Sequence, residues 1–131
     1  MGVTYLLDTH TFVWLLGASR RIPSALRAEL ADRNTRLLVS AVSAMEVATK
    51  VRLGKFDEAE PLLAAWSRRM ADIEAEPLDL TTEHALYAGS LRWDHRDPFD
   101  RLLAGQAIVE NIPLVTRDSA FATLTGLQRR W

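Results

Sequence analysis

The stretch "VTYLLDTHTFVWLLG", Val3–Gly17, decides the fold. Its first part is short, apolar and rich in β-formers, and it ends in an acid. That is the pattern of a buried strand. From Thr9 the apolar residues take a helical spacing and stop at a glycine. A strand that runs straight into a helix is half of a β–α–β unit, and the same alternation continues down the chain.

"TRLLVS" (35–40), "EPLDLT" (76–81) and "IPLVTRD" (112–118) read as further strands, and "LQRRW" (127–131) as an edge strand. Helical patterns lie between them: "IPSALRAELADRN" (22–34), "AVSAMEVATKVRLGKF" (41–56, closed by Gly54) and "TEHALYAGSLRWDH" (82–95). "DPFDRLLAGQAIVEN" (97–111) and the short "SAFATL" (119–124) complete the set. Residues 57–76 read as one longer helix, with Pro61 in its first turn and Leu62, Trp66 and Met70 on one face. That face is either core or a groove for a partner helix. Such alternation implies right-handed crossovers and a mostly parallel sheet of four to five strands, flanked by helices on both faces. Residues 1–131 are expected to form a single α/β domain.

Composition narrows the chemistry. The chain has 131 residues, 48% of them apolar, and no cysteine, so disulfides and thiolate metal sites are excluded. No apolar run approaches a membrane span, and the expectation is a soluble cytoplasmic protein with no membrane partner. The net charge of −1 offers no global basic footprint. The charge is uneven, however: residues 1–55 carry eight Lys or Arg against four Asp or Glu, and residues 56–100 carry four against eleven. A basic rim around an acidic centre is compatible with that balance.

Sites in open α/β sheets form where strands end and helices begin. Asp8 ends the first strand. Glu46 lies one turn into the helix after the second, Asp118 follows the fourth, and Asp97 and Asp100 open the helix just before it. The topology therefore gathers acids that are distant in sequence. Each also has a structural reading. Ser43 and Glu46 match a capping box, and Glu46 can pair with Lys50. Asp97 before Pro98 reads as an N-cap, Asp100 as the third residue of that helix, and Asp118 as a cap for "SAFATL". Capping alone leaves the joint pattern unexplained, because clustered carboxylates repel one another and raise their own pKa values. A hard divalent cation relieves that conflict: Mg²⁺, or Mn²⁺, takes oxygen ligands without His or Cys. The histidines show no paired ligand spacing. His84 is expected on a helix surface, and His10 and His95 either border the cleft or pack as ordinary side chains. With no cysteine nucleophile and no Gly-rich phosphate loop, metal-assisted phosphodiester hydrolysis is the reaction class that remains.

Four stretches carry a resemblance: "LLDTHTFVWLL" (6–16), "SAVSAMEVATKVRLGKF" (40–56), "DPFDRLLAGQA" (97–107) and "PLVTRD" (113–118). In order and spacing they resemble PIN-domain proteins, and more closely the VapC toxins of bacterial VapBC toxin–antitoxin pairs. The resemblance covers nearly the whole chain. It implies a PIN-like three-layer fold, a Mg²⁺- or Mn²⁺-dependent endoribonuclease, a homodimer, and inhibition by a small cognate VapB-type antitoxin. It also implies that the acids of the site are Asp8, Glu46, Asp100 and Asp118, and that Thr116 is the small polar residue bordering it. Asp97 belongs to the "DPFDR" variant and has no fixed role in the family pattern.

On this reading Asp8 and Asp100 hold the metal directly, while Glu46 and Asp118, with Asp97 as a further candidate, complete the pocket. Arg96, Arg101 and Arg117 either contact RNA phosphates or pair with the acids. Two other readings stay open. One is a phosphatase with Asp8 as nucleophile, although the second aspartate such sites want is here His10. The other is a non-catalytic binding module whose acids only cap helices. Trp14, Trp66 and Trp93 fall in helical patterns and are expected to be core, and Trp131 either packs on the edge strand or is free.

Overall fold

The computed structural model describes residues 2–131. Five short strands form one sheet: β1 (Thr4–Leu7), β2 (Arg36–Ser40), β3 (Glu76–Leu78), β4 (Leu114–Val115) and β5 (Arg129–Arg130). Their order is β3-β2-β1-β4-β5, and every pairing is parallel. The expected mostly parallel sheet is thus wholly parallel, with "LQRRW" supplying the edge strand. The helices are α1 (Thr9–Gly17), α2 (Ser24–Ala31), α3 (Ala41–Arg52), α4 (Trp66–Asp72), α5 (Thr82–Ser90) and α6 (Pro98–Val109), with 3₁₀ turns between some of them.

Alternation along β1 divides the core into two layers. Tyr5 and Leu7 face a cluster with Phe12, Leu26, Val47, Leu62 and Met70. Leu6 points the other way, against Leu103, Ala104, Leu114 and Phe121. A strand buried on both faces is apolar at every position, which is why "YLL" reads as a run rather than an alternation.

The chain winds from β1 through β2 to β3, then crosses to the far side of β1 to lay down β4. The sheet's switch point therefore lies beside β1, and a crevice opens at the carboxyl ends of β1 and β4. Asp8 N–H donates to the Val115 carbonyl at 3.0 Å, which fixes the two strand ends to one another.

Two helices are shorter than their sequence patterns. The expected helix over 57–76 is a 3₁₀ segment (Asp57–Ala64) followed by α4, which ends at Asp72, with the chain bent at Ala65 (φ −134°, ψ 18°). Pro61 has no N–H to reach back four residues, so an α-helical ladder cannot run through it. Leu62 and Met70 are buried, and Trp66, half-buried, packs on the same core and lines a surface pocket with Met70. The helix expected over 82–95 stops at Ser90, and Trp93 consequently sits in a loop. There its indole N–H donates to Thr123 Oγ1 at 2.8 Å and its ring packs near Phe121. His84 is another correction. It is 1% exposed rather than on the surface, with Nδ1 accepting from Thr81 N–H and Nε2 lying 2.9 Å from Glu110. Trp131 packs edge-on against Trp14.

Candidate active site

A cleft of about 530 Å³ opens at the switch point, lined by Asp8, Glu46, Asp97, Asp100 and Asp118 among others. All five acids singled out in the sequence meet there. His10, His95, Lys50 and Arg117 share its walls.

Asp8 is the first residue past β1 and the N-cap of α1, accepting from Thr11 N–H at 2.8 Å. It is buried, at 7% exposure. Burial pushes its carboxyl above the ordinary range, and the Thr11 and Thr116 hydroxyls pull it part of the way back. A capping role that sequence left unassigned to Asp8 therefore coexists with its place in the cleft.

Glu46 projects from α3 and is buried. Its Oε1 accepts from the Thr9 hydroxyl at 2.6 Å, and Oε2 meets the Lys50 ammonium. The expected Ser43–Glu46 capping box does not form. Helix α3 begins at once after β2, so Ser40 is its N-cap, accepting from Val42 N–H. Ser43 lies inside the helix and meets Thr9 Oγ1 at 2.9 Å. Burial lowers the Lys50 pKa, but the hydrogen bond to Glu46 and the charges of Glu46, Asp97 and Asp100 more than offset this, and the ammonium stays charged.

Asp97 is the N-cap of α6, accepting from Asp100 N–H at 3.1 Å, with Pro98 in the first helical position. Asp100, one turn in, takes His95 Nε2 at 2.7 Å. Burial pushes the Asp100 carboxyl up to about 6; Asp97 and Glu46 add to the rise, and His95 opposes it. Asp118 is exposed, accepts from Ala120 N–H at 2.9 Å and caps the 3₁₀ turn Ser119–Thr123.

The residues named as substrate contacts separate. Arg117 is exposed on the cleft wall, and Arg96 is exposed in the loop before α6. Arg101 is a correction. It donates to the carbonyls of Ala88, Leu91, Trp93 and His95, so its guanidinium ties down the α5–α6 loop instead of pairing with acids or facing the cleft. Thr116, expected to border the site, is buried beside it at 1% exposure. Its hydroxyl accepts from Asp118 N–H at 3.0 Å and steadies Asp8. Sequence reasoning missed Thr9, which links the starts of α1 and α3. A hydroxyl after an acid has no signature of its own; only the packing of α1 on α3 shows what it does.

Oxygen donors on carboxylates, without cysteine and without a histidine pair, suit a hard divalent ion. Burial, visible in the raised Asp8 and Asp100 carboxyls, and the repulsion of Asp100 by Asp97 and Glu46 are the conflict such an ion relieves. Among the described residues no three His, Asp or Glu side chains close into a ready cage.

The fold recurs in known structures. VapBC2 from Rickettsia felis, solved bound to a DNA fragment from its promoter, matches at 24% identity with a TM-score of 0.68, covering 98% of both chains. DNA-bound VapBC from Salmonella typhimurium matches at 23% with 0.66, covering 98% of this chain and 97% of that one. VapBC-1 from nontypeable Haemophilus influenzae matches at 22% with 0.63, over the same shares. Comparison with curated protein sequences gives no match. Residues 5–127 match the PIN domain, which spans both halves of the sheet and every acid of the cleft, and the chain belongs to the PIN-domain family.

Proposed function

We propose that this PIN domain is a Mg²⁺-dependent endoribonuclease, able to use Mn²⁺, and that it is the VapC-type toxin of a type II toxin–antitoxin pair acting in the cytoplasm. The observation that carries the proposal is the meeting of Asp8, Glu46, Asp97, Asp100 and Asp118 in one cleft at the sheet's switch point, with Asp8 and Asp100 held above the ordinary carboxyl range.

Asp8 and Asp100 would hold the ion. Asp8 accepts from Thr11 N–H and is steadied by the Thr11 and Thr116 hydroxyls, and Asp100 meets His95; both carboxylates line the cleft. Glu46 and Asp118 complete the negative pocket. When bound, the ion lowers the pKa of a coordinated water and offsets charge on the phosphate. The protein's own part is positioning. Thr11 and Thr116 aim Asp8, His95 aims Asp100, and Arg117 and Arg96 stand where they can bind neighbouring phosphates. The capping bonds made by Asp8, Asp97 and Asp118 favour in part a purely structural reading. They consume one oxygen each and leave the burial of Asp8 and Asp100 without a structural purpose.

The partners proposed are RNA, a cognate VapB-type antitoxin and a second copy of the chain. Support for the antitoxin comes from the fold shared with VapBC structures. The test is incubation of the purified protein with total cellular RNA, with and without Mg²⁺, followed by mapping of the cut ends. Discrete cleavage that needs the ion and disappears in Asp8→Asn is expected. Undiminished cleavage by a folded Asp8→Asn protein would overturn the assignment.

A further inference from the structure

The cleft acids differ in how their oxygens are used. Asp8, Asp97 and Asp118 each engage one oxygen with a backbone N–H, and Asp100 engages one with His95. Glu46 has both engaged: one with the Thr9 hydroxyl, the other with the Lys50 ammonium. Of the five, it is the one held between a hydroxyl and a lysine ammonium.

Lys50 reaches Glu46 from one turn further along α3. The helix ends just beyond it in a fixed manner. Gly54 adopts φ 71°, its N–H donates to the Val51 carbonyl, and Lys55 N–H donates to the Lys50 carbonyl. The lysine is thus anchored at a helix end, where the dipole also favours a cation. An exposed pair at this spacing contributes little. This pair is different in kind, because Glu46 is buried and Lys50 lines the acidic cleft within range of the Asp97 and Asp100 charges. A tethered ammonium in that position neutralises carboxylates as a second divalent ion would, and it cannot diffuse away.

We propose that Lys50 is the cleft's resident cation: its ammonium occupies the Glu46 side, so that the protein takes a single divalent ion and takes it away from Glu46. This deepens the metal-nuclease reading and rests on it. Glu46 then acts as a positioning residue, held between Thr9 and Lys50.

Mn²⁺ titration without RNA, followed by calorimetry and by the spin-resonance signal of free Mn²⁺, tests this. Wild type should bind one ion. Lys50→Gln keeps a donor towards Glu46 and removes the charge. It should bind Mn²⁺ roughly tenfold more tightly, or bind a second ion, since a unit charge at this range has an effect of about that size. Glu46→Gln alone should weaken binding, and the double variant Glu46→Gln/Lys50→Gln should return to wild-type affinity with one ion. Two ions in wild type, or unchanged or weaker binding by a folded Lys50→Gln protein, would overturn the proposal. If Lys50→Gln fails to fold, the comparison of Glu46→Gln with the double variant decides: no gain on removing the lysine overturns the proposal. Absence of Mn²⁺ binding in every protein overturns the metal reading itself, and this inference with it.

Discussion

Asp97 and Asp100 stand three residues apart at the start of α6 and do different work. Asp97 accepts the Asp100 N–H and caps the helix; Asp100 faces the cleft under the influence of Asp97 and Glu46. Asparagine caps about as well as aspartate, so Asp97→Asn should keep most cleavage, whereas Asp100→Asn should stay folded and lose it. Equal loss in both, measured on folded proteins by an RNA cleavage assay, would place Asp97 among the ligands. The raised Asp100 carboxyl also predicts a pH signature. Its folded pKa, about 6, lies above the ordinary value of 3.8, so the folded state binds the proton more tightly than the unfolded chain does. Ionised Asp100 therefore costs stability at neutral pH, on the order of 3 kcal/mol, and the cost fades as pH falls through 6 towards the ordinary range. Urea denaturation without metal should show Asp100→Asn more stable than wild type at pH 8 and nearly equal to it at pH 4.

At the scale of elements, α6 and the loop before it frame one wall of the cleft, and α5 packs behind them. Arg101, on α6, donates to four carbonyls: two of them, Trp93 and His95, in the loop that carries the His95 partner of Asp100, and the others at Ala88 and Leu91, at the end of α5. Replacing it by alanine strands those acceptors and should cost about 2–3 kcal/mol. Lysine should not restore the loss, because one ammonium lacks the fork that reaches several acceptors. If Arg101→Ala left stability unchanged and only weakened RNA binding, the original expectation of a phosphate contact would be restored. The helices themselves approach closely at Gly105, where a Cβ would lie 2.9 Å from Ala88 Cβ and 3.1 Å from its Cα. Alanine favours a helix over glycine by roughly 1 kcal/mol, but overpacking against a backbone costs about 1–3 kcal/mol. Gly105→Ala should therefore be net destabilising, read as a lower denaturation midpoint. A rise in that midpoint would mean the two helices can separate freely.

For the whole molecule, the crevice exists because the chain crosses β1 between β3 and β4, bringing five acids to one place from four separate segments. Their repulsion destabilises the metal-free fold, so a divalent ion should stabilise it by binding the native state alone. At about a hundredfold excess over its Kd, Mg²⁺ should add roughly 2.7 kcal/mol and raise Tm by several degrees at pH 8. The gain should shrink as pH drops through about 6, where protons compete for Asp100. A thermal scan with no Mg²⁺ shift at pH 8 would count against the metal site. The three apolar residues Leu62, Trp66 and Met70 also change meaning at this scale. Leu62 and Met70 lie in the core and the half-buried Trp66 packs on it, so Trp66→Ala should act on stability, since its ring lies 5.0 Å from that of Phe12.

The local code was legible in the sequence. Strand "YLL" passing into the helix at Thr9, the Asp97–Pro98 start of α6 and the Gly54 stop of α3 each depend on neighbours within a turn, so sequence alone determined them. The joint pattern of acids at strand ends pointed correctly to one cleft, because parallel α/β topology leaves few ways to arrange such ends. What only the tertiary structure decided were the partners across elements. Thr9 holds Glu46, Arg101 gathers the α5–α6 carbonyls, Thr116 is sealed beneath Asp8, and His84 is buried against Glu110. These residues are separated in sequence from the groups they satisfy. Each polar side chain carries several options for hydrogen bonding, and burial selects among them only after the layers have packed.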